Sequence, residues 1–93
     1  MNDPSLRYRK PAGILHAELD EEEVLLNPET GVYHLVNRTG RFLLDRMDAG
    51  ETLGEAILSL SAGAGEDPQR VRGDALSFVE AMTTRRLLEP VTD

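Results

Sequence analysis

The sequence predicts a small α+β domain, a three-stranded antiparallel sheet followed by three helices in a winged helix-turn-helix-like arrangement. Three observations carry that expectation. The chain has 93 residues and no cysteine, which allows one hydrophobic core held by packing alone. Apolar residues alternate with a period of two up to Val36 and recur at three and four residues beyond it. Turn formers and helix caps fall at the joins between these stretches.

Residues 1–12 are polar, contain Pro4 and Pro11 and show no period, so they are expected to form a flexible arm, with a single domain over residues 13–91. From Ile14, the row Ile14, His16, Glu18 alternates with Leu15, Ala17, Leu19, as in a strand with one half-buried face. The acidic cluster Asp20 to Glu23 reads as its turn. Val24, Leu25 and Leu26 form a second short strand, and Asn27-Pro28-Glu29-Thr30-Gly31 returns the chain, Gly31 being free to take a positive φ. Val32 to Val36 is the third strand; its β-branched residues and Tyr33 suit a pleated surface.

Asn37 is placed to cap a first helix carrying Phe42, Leu43, Leu44 and Met47 and ending at Gly50. Thr52 with Glu55 three residues on is the reciprocal capping pattern, opening a second helix that buries Leu53, Ala56, Ile57 and Leu60 and stops at Gly63-Ala64-Gly65. Asp67-Pro68 caps a third, in which Val71, Ala75, Phe78, Val79 and Met82 form an apolar face. Leu87, Leu88 and Val91 follow as a short terminal segment, read as a wing strand interrupted by Pro90.

Composition narrows the function. At 40% hydrophobic and 29% charged residues the chain is an ordinary globular one rather than a disordered one. It has no apolar window of membrane-spanning length and no secretory signal, so a cytoplasmic location without membrane partners is expected. Ten basic against 17 acidic residues give a formal charge of -7, which disfavours nucleic acid. Catalysis lacks its parts: there is no thiol, no G-x-S-x-G, no phosphate-binding glycine loop, and the two histidines, His16 and His34, fall on different strands. No enzymatic activity, cofactor or metal is expected.

The chain must then act by binding. A three-stranded meander leaves Gly31 to Val36 as an outer edge, and an open edge docks extended peptides. If the third helix lies beside that strand, a groove forms between free backbone groups and an apolar helix face. Association costs at least about 4 kcal/mol, and four ladder hydrogen bonds at about 1 kcal/mol each only match that. Two or three buried apolar anchors at about 1.5–3 kcal/mol apiece bring the affinity to roughly micromolar or tighter. The ligand's backbone would supply affinity and its few apolar residues specificity.

The stretch Leu26 to Gly40 resembles the Leu-x-x-x-Thr-Gly-x-Tyr-x-Leu-Asn-x-Thr-Gly signature of PqqD-like proteins, with Val36 either inserted between its Leu and Asn or standing as a one-residue shift. Gly50-Glu51-Thr52 is similar to the family's Gly-x-Ser/Thr, and Val71-x-x-Asp74-x-x-x-Phe78-Val79-x-x-Met82 to its Val-x-x-Asp-Val-x-x-Phe-Leu-x-x-Leu. The likeness covers about residues 24 to 88. It departs where the family often has Trp or Ile in the first helix, here Leu43 and Leu44, and Gly before the last Leu pair, here Arg86.

This resemblance implies a RiPP recognition element, a non-catalytic protein that binds the leader segment of a ribosomally made precursor peptide by strand addition to the third strand against the third helix. The chain is most similar to stand-alone lasso-peptide members, which deliver the leader to a separate leader peptidase or other tailoring enzyme; a peptide chaperone for a radical enzyme is the close alternative. The implied peptide-binding residues are Val32, Tyr33, His34, Leu35 and Val36 on the strand and Arg70, Val71, Asp74, Ala75 and Phe78 on the helix. On the strand, Tyr33 and Leu35 are expected to line the core, leaving Val32, His34 and Val36 nearer the ligand, with the reverse parity open. Asp74 is either a leader contact or an acid paired with Arg70, and Phe78 is core with an edge towards the groove. The rival of another class is a DNA-binding winged helix using Arg70, Arg72, Arg85 and Arg86.

Overall fold

The computed structural model describes residues 3–65 and 67–91. In chain order the elements are β1 (Tyr8–Arg9), β2 (Leu15–Leu19), β3 (Glu22–Asn27), β4 (Val32–Val36), α1 (Arg38–Asp48), α2 (Leu53–Ala64), α3 (Pro68–Thr84) and β5 (Glu89–Pro90). The fold is α+β: β2, β3 and β4 form an antiparallel sheet in that order, and β1 pairs with β5 in a separate two-stranded ribbon.

Register decides which side chains meet the helices. His16, Leu25 and His34 stand opposite one another across the sheet, as do Glu18, Glu23 and Val36. Leu25 and Val36 are fully buried, so these rows form the inner face. The alternate rows, Leu15–Leu26–Tyr33 and Ala17–Val24–Leu35, form the outer face. Two expectations are corrected here. Tyr33 and Leu35 are not core but 71% and 51% exposed, and β2 has no half-buried face, every residue in it being exposed. The helices cover only the inner side of β3 and β4, and nothing among the described residues lies over the outer side.

The helices begin where the capping residues predict. Asn37 Oδ1 accepts from the Gly40 N–H at 2.9 Å, and Asp67 Oδ1 from the Gln69 N–H at 3.0 Å. α1 stops at Asp48 and Gly50 follows in the left-handed region at φ 108°; Gly65 caps α2 the same way at φ 65°. Leu43, Met47, Leu53, Val79 and Met82 are among the fully buried residues these helices contribute.

The N-terminal segment, read as a flexible arm, is instead built into the domain, and the start of α2 explains why. A helix leaves its first N–H groups without intrahelical partners. The Thr52 N–H donates to Glu55 Oε1 at 2.9 Å and the Glu55 N–H to Thr52 Oγ1 at 3.2 Å. The two between them go to the arm: Leu53 N–H donates to Leu6 O at 2.9 Å and Gly54 N–H to Pro4 O at 2.8 Å. Tyr8 then enters the core at 3% exposure, and Val91 N–H donates to Arg7 O at 2.8 Å. The terminal segment contributes β5, whose Glu89 accepts from Arg9 Nε at 2.9 Å.

α3 ends in a tight left-handed turn. Leu87 N–H donates to Met82 O at 2.9 Å and Arg86 N–H to Thr83 O at 3.1 Å, the paired bonds of a Schellman motif, with Met82 and Leu87 both fully buried. Arg86 occupies the left-handed position at φ 58°. A side chain there costs about 1–2 kcal/mol that glycine avoids. Arg86→Gly is therefore expected to raise the unfolding free energy by up to about 1 kcal/mol after glycine's larger unfolded-state entropy is subtracted, measured as an increased urea midpoint at unchanged slope.

Candidate functional site

β4 is an edge strand. On one side it pairs with β3 from Asn27↔Val32 to Glu23↔Val36; on the other no strand pairs with it among the described residues. Alternate N–H and C=O groups of an antiparallel edge point outwards, unpaired. The two segments able to seal this edge, the N-terminal arm and the C-terminal tail, pair with each other as β1 and β5. The turn that launches β4 is rigid: Asn27 Oδ1 accepts from Glu29 N–H at 3.0 Å, Asn27 O from Gly31 N–H at 2.8 Å, and Gly31 sits at φ 73°. Asn27 is itself buried and donates from Nδ2 to Arg86 O at 3.3 Å, tying the turn to the end of α3.

α3 presents two adjacent rows. Val71, Ala75, Val79 and Met82 are buried in the core. Arg70, Asp74, Phe78, Ala81 and Arg85, spaced by three and four, form the neighbouring stripe and range from half-buried to exposed. This stripe meets β4 at two points. At one, the Phe78 ring and Val36 Cγ1 each lie 2.9 Å from where a β-carbon on Gly40 would stand, so a side chain there would force one of them to shift. At the other, the Arg85 guanidinium contacts His34 Nδ1. Because arginine only donates, Nδ1 is the accepting nitrogen and the neutral imidazole carries its proton on Nε2. Burial first, and the Arg85 charge second, hold His34 below the ordinary histidine value of 6.5.

Beside the Phe78 contact a cleft of about 270 Å³ opens between the start of α1 and α3, lined by Asn37, Thr39, Gly40, Leu43, Asp74, Ala75 and Phe78, and the strip from this cleft to the His34–Arg85 contact is the candidate groove. Of the residues inferred from sequence, His34, Asp74 and Phe78 are brought to this groove, and Arg70 continues the stripe by one turn. Ala75 is buried yet lines the cleft, Val36 and Val71 lie in the core, and Val32 is half-buried on the inner face. Tyr33 and Leu35 point the other way. Asp74 is exposed, and no ion pair joins it to Arg70 among the described residues. The peptide contacts expected from sequence leave out Gly40, Ala81 and Arg85, of which Gly40 entered only through the family signature and Arg85 only through the DNA-binding rival. Ala81 and Arg85 were legible in the three- and four-residue spacing from Phe78, whereas Gly40 matters only through packing.

Other candidate centres are less suited. Buried Glu23 faces Lys10 Nζ at 3.7 Å and His16 Nδ1 at 3.2 Å, a closed set of partners on the inner face of the sheet. A larger cleft of about 430 Å³ is walled by Pro11, Ile14, Pro28, Arg86, Leu88 and Pro90, whose prolines have no N–H to offer a ladder. Among the described residues no group of His, Asp and Glu is arranged to hold a metal, and no helix is long and apolar enough to cross a membrane.

Known structures share this architecture. TbiB1 in complex with the TbiA(beta) leader peptide is 26% identical, with a TM-score of 0.78 over 91% of this chain and 99% of that one. A lasso peptide synthetase B1 complexed with the leader peptide is 20% identical, with a TM-score of 0.79 over 90% of this chain and 99% of that one; this second likeness concerns the fold. No curated protein matches significantly. Residues 22–88, from the start of β3 to the residue before β5, match the family of coenzyme PQQ synthesis protein D, and the chain belongs to that PqqD family.

Proposed function

We propose that this protein binds the leader segment of a ribosomally made precursor peptide in lasso-peptide biosynthesis, by strand addition to β4 against α3, and passes it to a separate leader peptidase without catalysing a reaction itself. The observation that carries the reading is the uncovered edge of β4 flanked by the stripe Asp74, Phe78, Ala81 and Arg85. Likeness to the TbiB1 complex with a leader peptide, at 26% identity, supports the leader-binding part of this reading.

The chemistry of the groove describes the guest. Backbone groups of β4 supply sequence-independent hydrogen bonds, each worth about 1 kcal/mol net. Phe78 and Ala81 offer apolar contact for one or two leader side chains, Asp74 an acceptor for a leader donor, and Arg85 a partner for a leader carboxylate or carbonyl. Duplex DNA is the poorer partner. The stripe holds an acid between its arginines, and the whole chain carries -7. On this reading the α2–α3 pair with its flanking ribbon would be a winged-helix-like arrangement put to use for a peptide, and a cytoplasmic location suits a peptide made on ribosomes.

Fluorescence anisotropy of labelled synthetic leader peptides from lasso-peptide precursors tests the reading. The expected result is saturable binding, roughly micromolar or tighter, with little salt dependence, and a loss of about tenfold or more in Phe78→Ala with helical circular dichroism retained. Unchanged anisotropy with every such leader, beside steeply salt-sensitive binding to duplex DNA, would exclude it.

Acid should act on the fold through His34. With its pKa held below 6.5 in the folded state, the unfolded chain binds the proton more readily. The stability contribution is therefore complete above pH 6.5 and declines as the pH falls below it. Between about pH 7.5 and 5.5 the thermal midpoint of the wild type should fall more than that of His34→Gln, which keeps an acceptor for Arg85 and does not titrate. Equal falls would assign the acid sensitivity to other groups.

A further inference from the structure

The α3 stripe ends in a cation that the fold leaves without an anion. Among the described residues Arg9, Lys10, Arg38, Arg41 and Arg46 each pair with a carboxylate, in a chain where acids outnumber bases by 17 to 10. Arg85 has no carboxylate partner among them, and Asp74, the acid of its own stripe, lies on the order of 16 Å back along the helix axis. The Arg85 guanidinium rests instead on His34 Nδ1, across the gap between α3 and β4. That imidazole, held below its ordinary value, is neutral at neutral pH, so it orients the guanidinium without cancelling its charge. Arginine carries its donors in a planar fork, and one contact to a ring nitrogen leaves most of them for a second acceptor.

Register says what that acceptor is. His34 and Val36 share the inner row of β4, with Leu35 between them pointing the other way. Val36 marks the contact with Phe78, and His34 the contact with Arg85. A segment added to the open edge of β4 places one residue opposite each of them, with its side chain on the same inner side and its β-carbon about 5 Å away. These two ligand residues stand two apart in their own chain, whichever way it runs. The one opposite Val36 lies beside the Phe78 ring, which suits an apolar side chain. The one opposite His34 lies beside the Arg85 fork. Backbone carbonyls of an added strand lie in the plane of the sheet, whereas Arg85 comes from the inner side, so a side chain is what meets it. A carboxylate there completes the ion pair with charge-assisted bonds that a neutral acceptor does not match.

We propose that Arg85, oriented by His34, is a specificity-determining residue that selects a leader carrying Asp or Glu opposite His34, two residues from an apolar anchor opposite Val36. The net charge of -7 repels acids elsewhere on the ligand, so the preference is for one acid in one place and not for acidic peptides at large. The identity of the ligand rests on the leader-binding function proposed above; the unpaired cation and its place beside the inner row of β4 do not.

The test uses the full-length chain and labelled synthetic leaders from lasso-peptide precursors, with each Asp and Glu of the peptide replaced in turn by Asn or Gln. One replacement should lower the affinity of the wild type by about tenfold and leave that of Arg85→Gln, already weakened, where it was. The same peptide with Lys in that place should bind Arg85→Glu several-fold better than it binds the wild type, an exchange that a merely structural Arg85 would not give. Two positions from that acid should stand an apolar residue whose replacement by Ala costs the wild type affinity but not Phe78→Ala. Helical circular dichroism should be retained in both Arg85 variants; if either folds poorly, the peptide replacements read on the wild type decide the matter alone. Leaders that bind the wild type equally well with every acid replaced, or a charge exchange that rescues nothing in a folded Arg85→Glu, overturn the selector and leave the leader reading standing. Failure of the wild type to bind any leader removes both.

Discussion

The bare backbone of Gly40 lets α3 stand against the end of β4, and the groove depends on that approach. Phe78 and Val36 both fill the space a β-carbon would need there. A side chain in that place would push the ring aside or lever the helix outwards, at a cost typical of overpacking, about 1–3 kcal/mol. The chain leaves β4 at Val36 and is capped into α1 by Asn37 one residue later, so Gly40 lies in the first turn of the helix that follows the edge strand. Strand, cap, glycine and aromatic ring form one continuous piece of structure. At the far end, Asn27 performs the same office by joining the β3–β4 turn to the Arg86 carbonyl.

How much of this was legible in the sequence follows from the range of the forces involved. The caps at Asn37, Thr52 and Asp67 act within three residues, so their pattern is complete in the local sequence, and the helices begin where it says. The arm is ordered by the first two N–H groups of α2, about half the chain away, and no composition rule reports such a debt. Tyr8, the one aromatic before the sheet that enters the core, was the available signal. The strand parity was undecidable by hydrophobicity because both rows of β4 are apolar: Val32 and Val36 on one side, Tyr33 and Leu35 on the other. That ambiguity has a physical cause in the folded protein, which keeps an apolar surface on its solvent side.

The departure at Arg86 belongs to the same class. Family resemblance puts glycine before the final Leu pair, and the left-handed turn at φ 58° shows why a residue without a β-carbon suits it. Here the turn is held by the Leu87–Met82 and Arg86–Thr83 bonds and by the Asn27 side chain, which together carry a strained arginine. The strain is offset because the turn delivers Leu87 and Leu88 to the core and β5 to β1.

An open edge beside an apolar face is a standing invitation to self-association, and the distribution of charge is what answers it. Two copies approaching edge to edge or face to face bring like charges together, first through the net -7 and then through Asp20, Glu22 and Glu29 around the outer face. Within the groove the balance is different, since Arg70 and Arg85 bracket Asp74 on the α3 stripe and Arg85 already engages His34. Long-range repulsion therefore opposes the approach of a second copy, while short-range contacts in the groove remain available to a segment of low charge. An extended peptide carries little of the field that a second folded copy does, so it meets less of this repulsion on approaching the edge.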